Sequence, residues 1–126
     1  MDEKERKALI GFQQAELDAV LLYQGLAELM KTEEERTLML KIAADEGRHA
    51  GILKQYTDEK LTPNPKLGKT VAALYRVMGK KTLFALMSKF EINSAGTYEP
   101  YFEKYPAIAG IAADEIRHGH LLNDNR

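Results

Sequence analysis

Apolar residues recur three and four positions apart along most of this chain, and no stretch shows the strict alternation of a β-strand. This spacing is typical of amphipathic α-helices, which have one apolar face. It predicts an all-α chain with four main helices, which begin near residues 3, 32, 81 and 106. A shorter amphipathic helix, over residues 67–78, is predicted in the connection between the second and third helices.

Capping residues, glycine and prolines indicate where these helices begin and end. Thr32 and Glu35 have the spacing of a capping box, so the second helix is expected to begin there and to continue to residue 57. Prolines at positions 63 and 65 exclude a regular helix over residues 61–65. Gly79 suits a break, and the prolines at 100 and 106 suit the end of the third helix and the start of the fourth.

The chain contains an internal repeat. Residues 43–49 and 112–118 match at all but one position, and both contain Ala-Ala-Asp-Glu followed, after one differing residue, by Arg-His. Upstream of these segments, Glu16 and Tyr23 lie seven residues apart, as do Glu91 and Tyr98. The repeat predicts two similar helical hairpins within a single domain over residues 1–126.

Six residues that can bind metals fall in the middle of the apolar helix faces, because residues three, four and seven apart share one face of a helix. They are Glu16, Glu46, His49, Glu91, Glu115 and His118. A carboxylate in an apolar core is costly unless its charge is compensated, and two divalent cations would compensate all four. Cysteine is absent, so the ligands must be oxygen and nitrogen, which favours iron or manganese.

The lengths of the hairpins provide an independent check. Ligands at one level of a hairpin require that the turn lies midway between them. The midpoint of Glu16 and Glu46 is residue 31, beside the predicted cap, and the midpoint of Glu91 and Glu115 is residue 103, between the two prolines. The capping residues and prolines predict both turns independently of the ligands, so the agreement supports the site.

The order Glu, Glu-x-x-His, Glu, Glu-x-x-His on four helices resembles the pattern of ferritin-like di-iron carboxylate proteins. The Asp-Glu-x-Arg-His segments and the paired Glu and Tyr spacing are most similar to the rubrerythrin family, over roughly residues 5–122. The resemblance implies a ferritin-like four-helix bundle of two hairpins, joined by a crossover that contains the short extra helix. It also implies two bound iron ions, with manganese or a mixed-metal pair as the alternative.

The resemblance further implies a role for each glutamate and histidine. Glu46 and Glu115 would bridge the two ions, Glu16 and Glu91 would be terminal ligands, and each histidine would bind one ion. One departure from the family concerns Ser94, which stands where rubrerythrins carry an additional glutamate that takes part in peroxide reduction. The resemblance therefore supports the metal site more fully than it supports peroxidase activity.

Four further residues are candidates for roles beside the ligands. By the same resemblance, Asp45 and Asp114 would each accept a hydrogen bond from the histidine of the other half and so orient it. Tyr23 and Tyr98 are candidates for hydrogen bonds to the ligand carboxylates or for radical chemistry, and simple core packing is the alternative.

The function implied is that of a non-haem di-iron oxidoreductase that reduces hydrogen peroxide or dioxygen. No cysteine is available for the rubredoxin-like domain that rubrerythrins carry, so electrons are expected from an external donor protein, with rubredoxin as a candidate. Alternatives are a ferroxidase or iron-handling protein, a non-catalytic metal-binding module, and a hydroxylase of a lipid-soluble substrate. A metal-free bundle with a buried network of glutamate and histidine is the structural alternative.

The distribution of charged and apolar residues bears on where the protein is located and what it binds. The net charge of −1 gives no pull toward nucleic acid, and the charged start of the chain lacks the apolar core of a secretory signal, so we expect a cytoplasmic protein. Helical bundles of this kind often pair helix to helix, so a homodimer is expected by default. Residues 60–90 nevertheless contain seven basic residues and no acidic one. This segment has three interpretations: a solvated edge, a docking site for an acidic electron donor, or a membrane-surface contact.

Overall fold

The computed structural model describes residues 1–126, and all of its regular structure is helical. The α-helices are α1 (Glu3–Leu29), α2 (Glu33–Thr57), α3 (Lys66–Tyr98) and α4 (Ala107–Asp124), with a 3₁₀ turn at Glu99–Tyr101 before α4. The prediction of an all-α chain is therefore confirmed. None of these helices has the long apolar stretch that crossing a bilayer requires.

The first two helices begin at side-chain caps. Asp2 accepts a hydrogen bond from the backbone N–H of Glu5 at 2.8 Å and so caps α1. At the start of α2 the predicted capping box is complete. The N–H of Glu35 donates to Thr32 Oγ1 at 3.1 Å, and the N–H of Thr32 donates to Glu35 Oε1 at 3.2 Å. These bonds satisfy backbone donors that a helix start otherwise leaves without partners, which explains why α2 begins where the sequence predicts.

The segment between α2 and α3 is non-helical, as its prolines predict. It begins at Asp58, which ends α2 in the left-handed conformation (φ 53°, ψ 31°) and donates its N–H to the carbonyl of Lys54 at 2.8 Å. Further along, the N–H of Asn64 donates to Asp18 Oδ1 at 2.7 Å. The connection is therefore tied to α1 by a specific hydrogen bond.

Helix α3 is interrupted at Gly79, where the backbone (φ 79°, ψ 173°) is not helical. Glycine adopts this positive φ without the steric cost that a Cβ would bring. The predicted break between a short helix and the third main helix is thus confirmed, although the two helical segments follow one another without a separate loop.

The chain divides into two compact units, Met1–Ala73 and Leu74–Arg126, and each contains one of the predicted hairpins. In the first unit, α1 and α2 are antiparallel, because Arg6 in the first turns of α1 donates to the carbonyl of Thr57 at the end of α2. The turn between them occupies residues 30–32, as predicted. Leu9, Met39 and Leu53 are completely buried in this unit.

The second unit consists of α3 from residue 74 onward, the 3₁₀ turn and α4. Its two helices are joined by residues 99–106, which contain the predicted midpoint of the hairpin. Phe84 on α3 and Ile108 and Leu122 on α4 are completely buried. At the start of α4, Pro106 occupies the N-cap position, immediately before the first helical residue.

Candidate metal centre

In the first unit, α1 and α2 bring three metal-binding side chains together in the core. Glu16 comes from α1, and Glu46 and His49 come from α2; their exposed fractions are 4%, 3% and 0%. The Nδ1 atom of His49 lies 3.3 Å from Glu16 Oε2 and 3.4 Å from Glu46 Oε1. One oxygen or nitrogen atom from each of the three side chains lies within 4.8 Å of those of the other two. We call this set the first triad.

The second unit contains a triad of the same composition. Glu91 comes from α3, and Glu115 and His118 come from α4; their exposed fractions are 5%, 2% and 0%. Their ligand atoms also lie within 4.8 Å of one another. The burial that the helix-face pattern predicts is therefore confirmed for all six residues, and the structure collects them into two equivalent sets of three.

The local sequence explains how each triad forms. A glutamate and a histidine three residues apart lie on adjacent turns of the same helix face, so both side chains of a Glu-x-x-His pair project in one direction. The remaining glutamate comes from the other helix of the same hairpin, whose buried face packs against the pair. Each hairpin thereby assembles two carboxylates and one imidazole.

The spacing within each triad is compatible with a metal ion. Ligands bound at about 2.1 Å from one ion are at most about 4.2 Å apart, when they lie on opposite sides of it. The ligand atoms of each triad lie within 4.8 Å of one another, so a small side-chain adjustment is enough to reach this spread. Carboxylate oxygen and imidazole nitrogen together suit first-row metals such as iron, manganese and zinc.

The charge within each triad also favours a cation. Two carboxylates that are at most 5% exposed lose most of their hydration. A protonated histidine would balance only one of the two negative charges in its triad, whereas a divalent cation would balance both. The donor set and the burial of each triad are therefore compatible with a divalent cation.

No protein-family model, curated protein or solved structure matches this chain. The site must therefore be interpreted from its own residues and geometry. The resemblance to rubrerythrins stays a prediction.

The two tyrosines proposed from the sequence are buried, one in each unit. Tyr23 is 3% exposed and Tyr98 is 2% exposed, and each follows a triad glutamate by two helical turns. Their place in the core is established, and their hydrogen bonding to the ligand carboxylates stays a prediction.

The two aspartates that precede Glu46 and Glu115 form ion pairs with arginine. Asp45 Oδ1 accepts from Arg48 at 2.9 Å, and Asp114 Oδ1 accepts from Arg117 at 3.1 Å. Both aspartate side chains are 21% exposed, and both arginines are more than half exposed. That each aspartate orients a histidine stays a prediction. The observed aspartate–arginine pairs are surface contacts, which contribute little to stability.

A close contact near the second triad was not predicted from the sequence. Ser88, one turn before Glu91 on α3, donates its hydroxyl to the carbonyl of Gly119 at 2.6 Å. A Cβ atom at Gly119 would lie 3.0 Å from the carbonyl oxygen of Ser88 and closer still to the side chain of Ile92. Because Gly119 follows His118 directly, this contact holds α4 against α3 beside the triad. The sequence feature that could have indicated this contact is Ser88 itself, a small polar residue on the same helix face as Glu91.

A corresponding polar contact lies near the first triad. Gln13, one turn before Glu16, is 2% exposed. Its Oε1 accepts from Thr57 Oγ1 at 2.5 Å, and its Nε2 donates to the carbonyl of Glu59 at 2.9 Å. The sequence places Gln13 on the apolar face but does not identify Thr57 as its partner, because the pairing depends on how α1 and α2 align.

Proposed function

We propose that the chain is a non-haem di-iron oxidoreductase of the rubrerythrin type, built as a ferritin-like four-helix bundle. The observation that carries the proposal is the repeated buried triad of two glutamates and one histidine. Together the triads provide four carboxylates and two imidazoles, the donor set of ferritin-like di-iron proteins. Two divalent ions would balance the four carboxylate charges.

In this proposal the six residues divide the ligation as the family resemblance implies. Glu16, Glu46 and His49 would hold one ion, and Glu91, Glu115 and His118 would hold the other. The resemblance implies that both ions would share Glu46 and Glu115, with Glu16 and Glu91 as terminal ligands. The Nδ1 atom of His49 lies 3.3 Å from a carboxylate oxygen of Glu16 and 3.4 Å from one of Glu46. These distances are close to those expected between ligands of one ion.

When bound, an iron pair would supply two electrons, which reduce hydrogen peroxide to water or dioxygen to hydrogen peroxide. The residues of the chain hold the ligands in place and exclude bulk water from them, since all six are at most 5% exposed. Tyr23 and Tyr98 bring the only phenolic hydroxyls that are both buried and two turns from a triad glutamate, so they are our candidates for proton donors to the site. In this proposal a donor outside residues 1–126 would deliver the electrons, because these residues include no cysteine to hold an electron-transfer iron.

Anaerobic titration of the metal-free protein with Fe(II) tests the proposal directly. We expect two ions per chain for the wild type and loss of both from Glu46→Ala or Glu115→Ala, because each removes a bridging carboxylate. Glu28→Ala is the control for these two substitutions, since Glu28 is an exposed glutamate on α1, and it should keep two ions. Absence of stoichiometric binding by the wild type would leave the triads as a metal-free network.

One observation favours a second candidate function, that of a ferroxidase. Ser94 occupies the position at which rubrerythrins have the extra glutamate, and its half-buried side chain offers no carboxylate. Stopped-flow mixing of the di-iron protein with peroxide, and separately with air, distinguishes the candidates. Faster oxidation by peroxide supports the rubrerythrin-type activity, and faster oxidation by air supports a ferroxidase or oxidase.

A further inference from the structure

The second unit exposes several large apolar side chains on one short stretch of chain. Val77 is 84% exposed, Phe90 72%, Leu86 50% and Leu74 37%. They account for four of the nine large apolar residues that the whole chain exposes, although residues 74–90 are a small part of its length. Apolar surface concentrated in this way is typical of an interaction site, whereas apolar residues scattered singly are ordinary.

The same stretch is exclusively cationic. Arg76, Lys80, Lys81 and Lys89 are its only charged residues, and no aspartate or glutamate occurs between positions 74 and 90. Arg76, Lys81 and Lys89 are exposed, and Lys80 is half-buried with its Nζ 5.9 Å from the ring centre of Phe84. The cations and the exposed apolar side chains are thus interleaved along the sequence.

Helical spacing groups these residues on faces. Leu86, Lys89 and Phe90 lie three and four positions apart and share one exposed face of α3. Before the break at Gly79, Val77 lies one turn after Leu74 and directly beside Arg76. We call residues 74–90 the cationic apolar surface. Its mixture of lysine with leucine, valine and phenylalanine is typical of helices that lie on a membrane.

Charge and composition distinguish among the partners for this surface. A second copy of the chain bound face to face would place like charges opposite each other, which is unfavourable. Protein interfaces are enriched in arginine and depleted in lysine, whereas three of the four cations here are lysines. Anionic phospholipid headgroups accept lysine readily, and the acyl boundary accepts the apolar side chains.

We propose that the cationic apolar surface binds the surface of membranes rich in anionic phospholipid. Phe90 and Val77 enter the boundary between headgroups and acyl chains, and the neighbouring cations contact the phosphates. The interaction is peripheral and does not require a bound metal, so its test is independent of the proposed di-iron chemistry.

The first experiment is flotation of the full chain with vesicles at low salt. One set contains phosphatidylcholine and phosphatidylglycerol in a ratio of three to one, and the other contains phosphatidylcholine alone. We expect the protein to float with the first set, to stay unbound with the second, and to be released from the first set by salt. Failure to bind the anionic vesicles overturns the proposal, and equal binding to both sets does so as well.

A charge-reversal pair tests the role of the cations. Lys81→Glu combined with Lys89→Glu should weaken binding to the anionic vesicles by more than tenfold, since each charge near such a surface changes affinity about fivefold. Lys31→Glu combined with Lys41→Glu changes the net charge equally at exposed positions of the first unit and should bind as the wild type does. An equal loss in both double variants would show that net charge alone is responsible and would overturn the assignment of the surface.

An apolar pair tests the insertion. Phe90→Ser removes a side chain that is 72% exposed, and Leu40→Ser removes one on α2 that is 50% exposed. The first should lower vesicle affinity about tenfold and the second should leave it unchanged. If the chain ignores vesicles but is retained by immobilised rubredoxin in a salt-sensitive manner, the surface docks an acidic protein and the membrane proposal is wrong.

Discussion

Replacement of Gly119 by alanine tests the close packing of α4 against α3 beside the second triad. The added Cβ would lie 3.0 Å from the carbonyl oxygen of Ser88 and would overlap the side chain of Ile92. Ile92 is 39% exposed and can rotate away, at a cost of about 0.5–1.5 kcal/mol for an unfavourable rotamer. The carbonyl oxygen belongs to the helix backbone, so relieving that contact requires a shift of α3 or α4.

Overpacking of this kind costs about 1–3 kcal/mol. Alanine also favours the helical state over glycine by up to about 1 kcal/mol, so the net effect of Gly119→Ala alone combines two opposing contributions. Gly110→Ala in the same helix isolates them, because a Cβ at Gly110 meets nothing within 4 Å. Gly110→Ala should therefore stabilise the protein, and Gly119→Ala should be less stable than Gly110→Ala by about 2 kcal/mol.

Urea denaturation of the metal-free variants measures this difference. The free energy of unfolding is obtained by linear extrapolation, with similar m-values expected because the two substitutions change little exposed surface. Equal stability of the two variants, within about 0.5 kcal/mol, would contradict the reasoning, since it would mean that α4 does not approach α3 closely at Gly119.

Three further substitutions test local contacts of the first unit by the same measurement. Thr57→Val removes the hydroxyl that donates to Gln13 Oε1 at 2.5 Å and leaves a buried acceptor without that partner. We expect the free energy of unfolding to fall by about 1–3 kcal/mol, and an unchanged value would show that the bond is not formed. Thr32→Ala removes the capping box with Glu35 and should cost about 1 kcal/mol, and a neutral result would contradict the cap. Asp58→Gly should instead stabilise the protein by roughly 0.5–1 kcal/mol, because Asp58 has the left-handed conformation that glycine adopts without strain, and a loss of stability would refute this account.

Much of the fold follows from local features that the sequence displays directly. The start of α2 was predictable because both partners of its capping box lie within four residues of chain. The break in α3 was predictable at Gly79 because glycine is the residue that tolerates a positive φ. In contrast, the left-handed conformation of Asp58 was not predicted, because aspartate ends helices in several ways and the choice depends on the path of the following segment.

The candidate site shows the same division between local and tertiary information. Periodicity predicts that the six glutamates and histidines point into the core, and their burial confirms it. Periodicity does not give the distance between side chains on different helices, which depends on the alignment of each hairpin. The 3.3 Å distance between His49 Nδ1 and Glu16 Oε2 is therefore a tertiary feature that the sequence pattern does not give.

Each hairpin has a buried polar contact between its two helices one turn before the triad, and the two hairpins form it with different residues. Gln13 and Ser88 hold equivalent positions, one turn before the first glutamate of each triad, and both are buried polar side chains that bond to the facing part of their own hairpin. The long side chain of Gln13 reaches to the end of α2, whereas the short hydroxyl of Ser88 reaches only a carbonyl in direct contact with it, that of Gly119. The repeat places Ala50 at the position of Gly119, so the first hairpin does not need the same close approach. A buried polar group at this position is costly unless it is bonded, and each of these bonds depends on how the two helices of its hairpin are aligned. We infer that these side chains fix the alignment that brings the glutamate of one helix level with the Glu-x-x-His pair of the other.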